Sequence, residues 1–427
     1  MRYKEYKKVD IPWIDEVPSH WEISRIKNYT KVVSSPLTKD ICLSNGIYPI
    51  YDANKIIGYH NIINVSQPYI SIIKDGAGVG RVRLLPQNSG ILATMNGIIP
   101  EGININFLFR YLENFDFSNY INSTTIPHIY YNEYSKDYIP IPPKKEQEQI
   151  ARFLDWKINE IDRLINSKEK ELDNLEKLIE SKIERVLLFN NKVEKNMSYG
   201  DALKGIPTIR IKNIFTLRNE RNLLSENEVE LLSLYTKLGV LKNKDIEYKT
   251  GNKNTTVLNY KIVKENDIVV NIMLCWMGAV GISKYDGVIS PAYDVYIPNL
   301  MLVNSLYYHY FFRSNLFKNE LYRNGKGIVL MKWRVYSDKF MNIRVPLFTL
   351  DQQEFILKKI ENIKEEFKKN LQNLRCQVNN LKQLKQSLIS DVVTGKIDVR
   401  NISIPEYEKV SDIEDDAILE ENFNEEV

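Results

Sequence analysis

This 427-residue sequence has few of the residues from which metal and thiol sites are built. It holds three cysteines, Cys42, Cys275 and Cys376, far apart in the chain, and four histidines. No CxxC or HxxxH spacing occurs, so neither a zinc site nor a disulfide frame is expected. No apolar run reaches the roughly 18 residues that a membrane span needs. The opening MRYKEYKKVDIPWIDEVP has no apolar signal-peptide core, so a soluble, cytoplasmic protein is expected. There is no GxxxxGKS or GxxxxGKT loop to cradle ATP phosphates; Gly395-Lys396 lacks the upstream glycine and the following hydroxyl. The Asn-Pro-Pro-aromatic and Asp-Pro-Pro-aromatic stretches of amino-methyltransferases are missing, and no Ser/His/Asp order or nuclease spacing stands out. The expectation is a chain that performs no chemistry itself.

What is present is repetition. IPIPPKKEQEQIARFLDWKINEIDRLI, from Ile139, returns as VPLFTLDQQEFILKKIENIKEEFKKNL, from Val345. Ile139 pairs with Val345, Pro140 with Pro346, Gln147 with Gln353 and Ile150 with Ile356, each pair 206 residues apart. The openings also match, with RIKN at Arg25 and again at Arg210. The order is therefore globule, helix, globule, helix, with a two-fold internal repeat.

Both helices carry a heptad seam. Ile158, Ile165, Leu172, Ile179 and Val186 lie seven apart, as do Ile360, Phe367, Leu374, Leu381 and Leu388. Neither run contains glycine or proline, and about 40 residues each gives about 60 Å of helix. Two such helices in one chain can bury each other's seams as an antiparallel pair. The other arrangement open to them is pairing with another copy or packing on their own domains. Thr349-Leu350-Asp351-Gln352 fits a capping box, whereas Pro143 stands where Thr349 does in the first copy. Charges from Lys144 to Asn190 nearly cancel, ten basic against eleven acidic, which suits a solvated or protein-binding helix.

The net charge of +3 is uneven. From Pro405 onward ten acidic residues face one lysine, an acidic tail. Residues 200–346 hold 21 basic against 13 acidic side chains, which suggests a polyanion partner; residues 21–143 hold 10 against 9 and say nothing. In the first globule YISIIKDGAGVGRVRLL fails as a dinucleotide loop. Gly76, Gly78 and Gly80 are followed by an alternating strand pattern, so a glycine turn between two strands is expected. In the second, MGAVG predicts the same device. Lys74, Arg81 and Arg83 flank the first turn. Arg218, Arg221 and Lys284 accompany the second globule, where Lys326, Lys332, Trp333 and Arg334 interleave basic and aromatic character. All ten are candidate DNA contacts; solvated hairpin charges and a core tryptophan with snorkelling neighbours are the ordinary alternatives.

Together these residues resemble the specificity subunit of a type I restriction-modification system. The resemblance rests on the Pro-x-Pro strip before Glu146-Gln147 and on its return at Pro346 with Gln352-Gln353. It rests also on SLISDVVTGKIDVR (387–400), DIVVNIMLCWMGAVGISKYDGVISPAYDV and VPSHWEISRIKN (17–28). It implies an α+β fold with two globular α/β target recognition domains, joined by two long antiparallel coiled-coil helices in a pseudo-two-fold repeat. The expected parts are an N-terminal arm (1–20), a first recognition domain (21–143) and a central spacer helix (144–195). A second recognition domain (196–346), a distal spacer helix (347–398) and an acidic tail (399–427) follow. The resemblance implies double-stranded DNA with a bipartite site, two methyltransferase subunits and two restriction (translocase) subunits as partners, and no membrane. S-adenosylmethionine, ATP and Mg would belong to those partners, with no cofactor, metal or catalytic residue in this chain. A coiled-coil scaffold that binds no DNA and a self-sufficient fused restriction enzyme are the competing readings.

Overall fold

The computed structural model describes residues 2–409 except 64, 77, 123–126, 190–196, 226–227, 237, 246–256 and 328–332. The chain divides into two compact units, residues 1–169 with the segment from Arg375, and residues 170–374.

The first unit opens with the hairpin β1 (Tyr6–Ile11) and β2 (Ile14–Pro18), then β3 (Glu22–Arg25) and β4 (Thr30–Ser34). There follow β5 (Tyr48–Tyr51), β6 (Ile56–His60), β7 (Tyr69–Ile73), β8 (Val82–Leu85), β9 (Gly90–Ile91) and β10 (Met95–Pro100). Helices α1 (Ile105–Glu113) and α2 (Tyr131–Tyr134) precede β11 (Tyr138–Ile141) and the long α3 (Lys144–Leu187). The main sheet has the antiparallel order β4-β10-β7-β8. All five residues of β7 are buried, and its Ser71 hydroxyl donates to Arg83 O at 3.3 Å. Asn104 caps α1 by accepting from the N–H groups of Asn106 and Phe107, and Phe107, Leu108, Tyr111 and Leu112 turn into the core. Residues 1–20, expected as an arm, fold as the β1-β2 hairpin and place Ile14 and Val17 in that core.

The second unit repeats the plan. Its elements are α4 (Tyr199–Ala202), β12 (Thr208–Arg210), β13 (Phe215–Leu217), β14 (Leu232–Tyr235), β15 (Gly239–Lys242) and β16 (Lys261–Val263). Next come β17 (Ile268–Asn271), β18 (Val280–Ile282), β19 (Gly287–Ile289) and β20 (Tyr293–Pro298). The unit ends with α5 (Ser305–Phe312), α6 (Asn315–Asn324), α7 (Ser337–Asn342), β21 (Arg344–Pro346) and the long α8 (Leu350–Val393). Its sheet β13-β20-β17-β18 has the antiparallel order of the first unit's sheet, and β12 pairs with β21 as β3 pairs with β11.

Each long helix has 44 residues. In the first unit Ile161 and Ile165 of α3 cluster with Val378, Leu381 and Leu388 of α8. Lys385 meets Asp162 at 2.8 Å and Lys382 meets Glu169 at 2.8 Å, so the two segments run antiparallel. In the second unit Lys182 meets Glu366 at 3.1 Å and lies over the Phe367 ring. Ile179, Phe367 and Leu374 are buried, Leu172 half-buried. The seam changes character at its ends. Ile158 joins the core of the first unit; Ile360 joins that of the second, with Val186 packed against it. Each core is also closed by the far end of the other helix: Val392 and Val393 in the first unit, Leu187 and Leu188 in the second.

The Gln-rich helix starts do more than cap. Thr349 and Gln352 make the expected reciprocal box, with Thr349 N–H donating to Gln352 Oε1 at 2.9 Å and Gln352 N–H to Thr349 Oγ1 at 3.3 Å. Gln147 and Gln353 are fully buried instead. Gln147 accepts from Asn104 N–H at 2.8 Å and donates to Pro142 O at 2.8 Å. Gln353 accepts from Asn304 N–H at 2.7 Å and donates to Phe348 O and Leu302 O at 2.8 and 2.9 Å. Each amide thus ties a long helix to the proline strip before it and to the cap of a helix in its own globule.

Glu146 occupies in the first copy the position of Gln352 in the second, and is buried. It accepts from Tyr3 Oη at 2.5 Å and Trp21 Nε1 at 3.0 Å, and lies 2.9 Å from His20 Nε2. Downstream of α8, Gln149 donates to Val399 O and Ile402 O, and Tyr407 donates to Asp155, so residues 399–409 strap onto the start of α3. The acidic residues beyond 409 lie outside the described residues.

Replacing Gln353 by leucine removes one acceptor and two donated bonds from buried backbone. A loss of about 3 kcal/mol is expected, read as a lower urea midpoint, with Gln147→Leu giving a comparable loss. Gln352→Leu, at the half-buried cap, costs less than either.

Candidate nucleic-acid interface

Both units build the same platform at one edge of the main sheet. The strand pairs β7-β8 and β17-β18 are each joined through a turn containing left-handed glycine, Gly80 at φ 84° and Gly278 at φ 96°. At Gly80 a side chain would also press on Phe117, its Cβ 2.9 Å away. The expected strand, glycine turn, strand pattern is therefore present in both globules.

A second loop lies on each turn. In the first unit Asn122 and His128 exchange backbone hydrogen bonds of 2.9 and 3.2 Å, and buried Ile129 donates its N–H to Lys74 O at 2.9 Å. In the second unit Lys326 and Arg334 exchange bonds of 2.9 and 3.0 Å, and buried Val335 donates to Ile272 O at 2.9 Å. His128 and Arg334, Ile129 and Val335, and Tyr130 and Tyr336 keep the spacing of 206 found at the helices. Tyr130 and Tyr336, the N-caps of α2 and α7, are both about half exposed, at 54% and 48%.

Lys326 and Arg334 are directly opposite in a hydrogen-bonded antiparallel pair, so their side chains leave the same face. Both are exposed. Like charges so placed destabilise the pair, and an anion between them offsets this. Behind them Trp333 stacks on Tyr322 at 5.1 Å and 22°, and donates Nε1–H to Tyr322 O at 3.2 Å. Tyr322 in turn contacts Trp276 at 5.5 Å. Trp333 thus anchors the loop, while its basic neighbours stay in solvent. Lys332 lies outside the described residues.

The other candidates are dispersed. Lys74 is half-buried beside the first loop and has no side-chain partner among the described residues. Arg81 and Arg83 turn to the β5-β6 turn, donating to Asn54 Oδ1 and Asn54 O at 2.6 Å each; Arg83 also lies over Tyr51. Arg221 is exposed and reaches Asn259 O at 3.3 Å. Lys284 is exposed between β18 and β19. Arg218 is buried, with its guanidinium bound to Asp267 at 2.8 and 3.1 Å and to Glu220 at 2.9 Å. Its main partner Asp267 is buried, Glu220 is exposed, and Arg218 is not on the platform.

Helix α5 braces the second glycine turn from within. His309 Nδ1 accepts from Ile282 N–H at 3.2 Å, and Arg313 donates to Gly278 O and Val280 O. Among the described residues no cluster of His, Cys, Asp or Glu is arranged to hold a metal ion, and no helix is long and apolar enough to cross a membrane.

Comparison with known proteins gives a consistent likeness. Residues 18–174 match the family model described as the type I restriction modification DNA specificity domain. A Methanocaldococcus jannaschii protein named as the MjaVIII type I restriction enzyme specificity subunit is 22% identical over 424 residues, covering 91% of this chain and 95% of that protein. Residues 18–174 thus resemble a type I restriction modification DNA specificity domain, and the chain as a whole is similar to type I specificity subunits. The Escherichia coli EcoBI specificity subunit is 23% identical over 328 residues, covering 65% of this chain and 62% of its own length. A chain solved in work on assembly and conformational transition of the type I restriction-modification system has the same fold. It shows a TM-score of 0.56 at 12% identity, covering 89% of this chain and 99% of that one.

Two outcomes follow from the buried polar groups behind the platform. Burial, with Arg313, Lys364 and Lys284 nearby, pushes His309 down to about 3. Below about 6.5, the ordinary imidazole value, the unfolded chain binds a proton that the folded chain refuses. Stability of this unit should therefore fall as pH drops from about 6.5 toward 3, and be unaffected by His309 above that window. His309→Asn keeps an acceptor for Ile282 and should flatten the fall, as compared by urea unfolding at pH 7 and pH 5. Arg218→Met leaves Asp267 buried without its partner and should cost about 3 kcal/mol, whereas Arg334→Ala, which removes one of two facing like charges, should leave the urea midpoint unchanged or slightly raised.

Proposed function

We propose that this chain is the DNA sequence-recognition subunit of a type I restriction-modification complex and reads a bipartite, asymmetric site, one half with each unit. The observation that carries this reading is the duplicated platform. The same bridged loop, glycine turn and exposed tyrosine occur in both units of a chain similar to type I specificity subunits. Residues 21–143 and 196–346 serve as the two recognition domains, and residues 144–195 and 347–398 as the spacer helices that set the gap between half-sites. The positive balance of residues 200–346 and the facing Lys326 and Arg334 favour a phosphate backbone.

The chain works in this reading as a non-catalytic subunit in the cytoplasm. Its partners are double-stranded DNA, two methyltransferase subunits and two restriction subunits. The near-neutral faces of α3 and the two-fold repeat suit docking of two identical methyltransferases. S-adenosylmethionine, ATP and Mg act on the partner subunits.

The test is a methylome map of cells carrying the partner methyltransferase, with and without this chain. A split adenine motif that appears only with the chain supports the reading. A stable complex that creates no motif supports a scaffold without DNA recognition, and methylation by the chain alone a fused enzyme. In the assembled complex, Arg334→Ala and Lys326→Ala should each lower the salt dependence of DNA binding by about one unit of log-log slope.

A further inference from the structure

The platform residues divide into those that match between the units and those that do not. Tyr130 and Tyr336 match: the same residue stands at the same place, next to a buried aliphatic residue pinned by one backbone bond to the turn strand. Both backbone carbonyls accept from the first turn of a short helix, Tyr130 O from Glu133 N–H and Tyr336 O from Lys339 N–H at 3.0 Å each. Neither hydroxyl has a hydrogen-bond partner among the described residues. Asn122 and His128 against Lys326 and Arg334, and Lys74 against Ile272, do not match.

A bipartite asymmetric site has two halves with different bases and one kind of phosphate backbone. A side chain that is identical in both heads suits what the halves share; side chains that differ suit what distinguishes them. A phenol hydroxyl donates readily to a phosphate oxygen, and each tyrosine stands here on backbone held at a helix cap beside a buried residue. We infer that Tyr130 and Tyr336 are matched phosphate contacts, one in each half-site. They set the register of their head without reading bases. This inference rests on the recognition function proposed above.

The experiment uses the full complex of this chain with its methyltransferase partner. Tyr130→Phe and Tyr336→Phe each remove one hydroxyl from an exposed ring, and thermal melting checks that the fold is kept. Each variant should raise KM for DNA by about threefold to tenfold, the effect of one hydrogen bond, with kcat and the methylated motif unchanged. The wild-type complex on DNA with single methylphosphonate substitutions gives a reading that needs no variant. At least one position in each half-site should weaken binding, and at one of these the Phe variant of that head should lose nothing more.

Unchanged KM in either variant, or a motif relaxed at one base, would overturn the inference. So would the lack of a sensitive phosphate in one half-site. If the wild-type complex yields no split motif at all, the recognition reading itself fails. If it yields one and the variants behave as wild type, only the phosphate contact fails.

Discussion

Gln147 and Gln353 hold backbone that burial would otherwise leave without partners. Each amide is inside the protein, at the first turn of a long helix, and binds both the proline strip before that helix and the cap of α1 or α5. A proline strip has few N–H groups of its own, so its carbonyls need donors from elsewhere. The glutamine side chain supplies a donor and an acceptor at once, as no carboxylate can. The direction in which a helix leaves its globule is therefore fixed by hydrogen bonds of defined geometry as well as by apolar packing. The proposed attachment of each recognition head to its spacer helix depends on this joint.

The joint recurs because each unit is assembled from the same parts in a permuted order. The first core takes in the end of α8, and Glu146 gathers Tyr3, His20 and Trp21 from the chain start. The second core takes in the end of α3 and the residues from Tyr199. At the same register position the first copy uses a buried glutamate and the second a half-buried capping glutamine. The first copy has Tyr3, His20 and Trp21 beside its N-terminal hairpin to meet the Glu146 carboxyl group, and the second has Thr349 for the reciprocal box.

The helices were legible in the sequence because heptad spacing over about 40 residues without glycine or proline has few other readings. The glycine turns were legible because an alternating strand pattern follows them. The seam ends were less so: Ile158 and Ile360 fit the heptad yet pack on their globules, since periodicity marks an apolar face and not what covers it. The buried role of Gln147 and Gln353 needed the third dimension, because the helix caps they hold, Asn104 and Asn304, lie 43 and 49 residues away. Among the charged candidates, composition could not separate Arg218, spent on Asp267, from Arg334, which is exposed. Tyr130 and Tyr336 were missed, though the spacing of 206 already extended back to them. The compositional abundance of tyrosine, 26 in this chain, hid the two that matter.

The central claim is that each unit reads its own half of a split site. Exchange of residues 200–346 for the corresponding segment of a type I specificity subunit, keeping Gln353 and the ends of α3 and α8 that complete the second core, tests it most directly. Methylome sequencing of cells with the exchanged chain and the same methyltransferase should show one half of the motif replaced and the other half unchanged. Replacement of both halves, or of neither in a complex that still methylates DNA, would contradict the account.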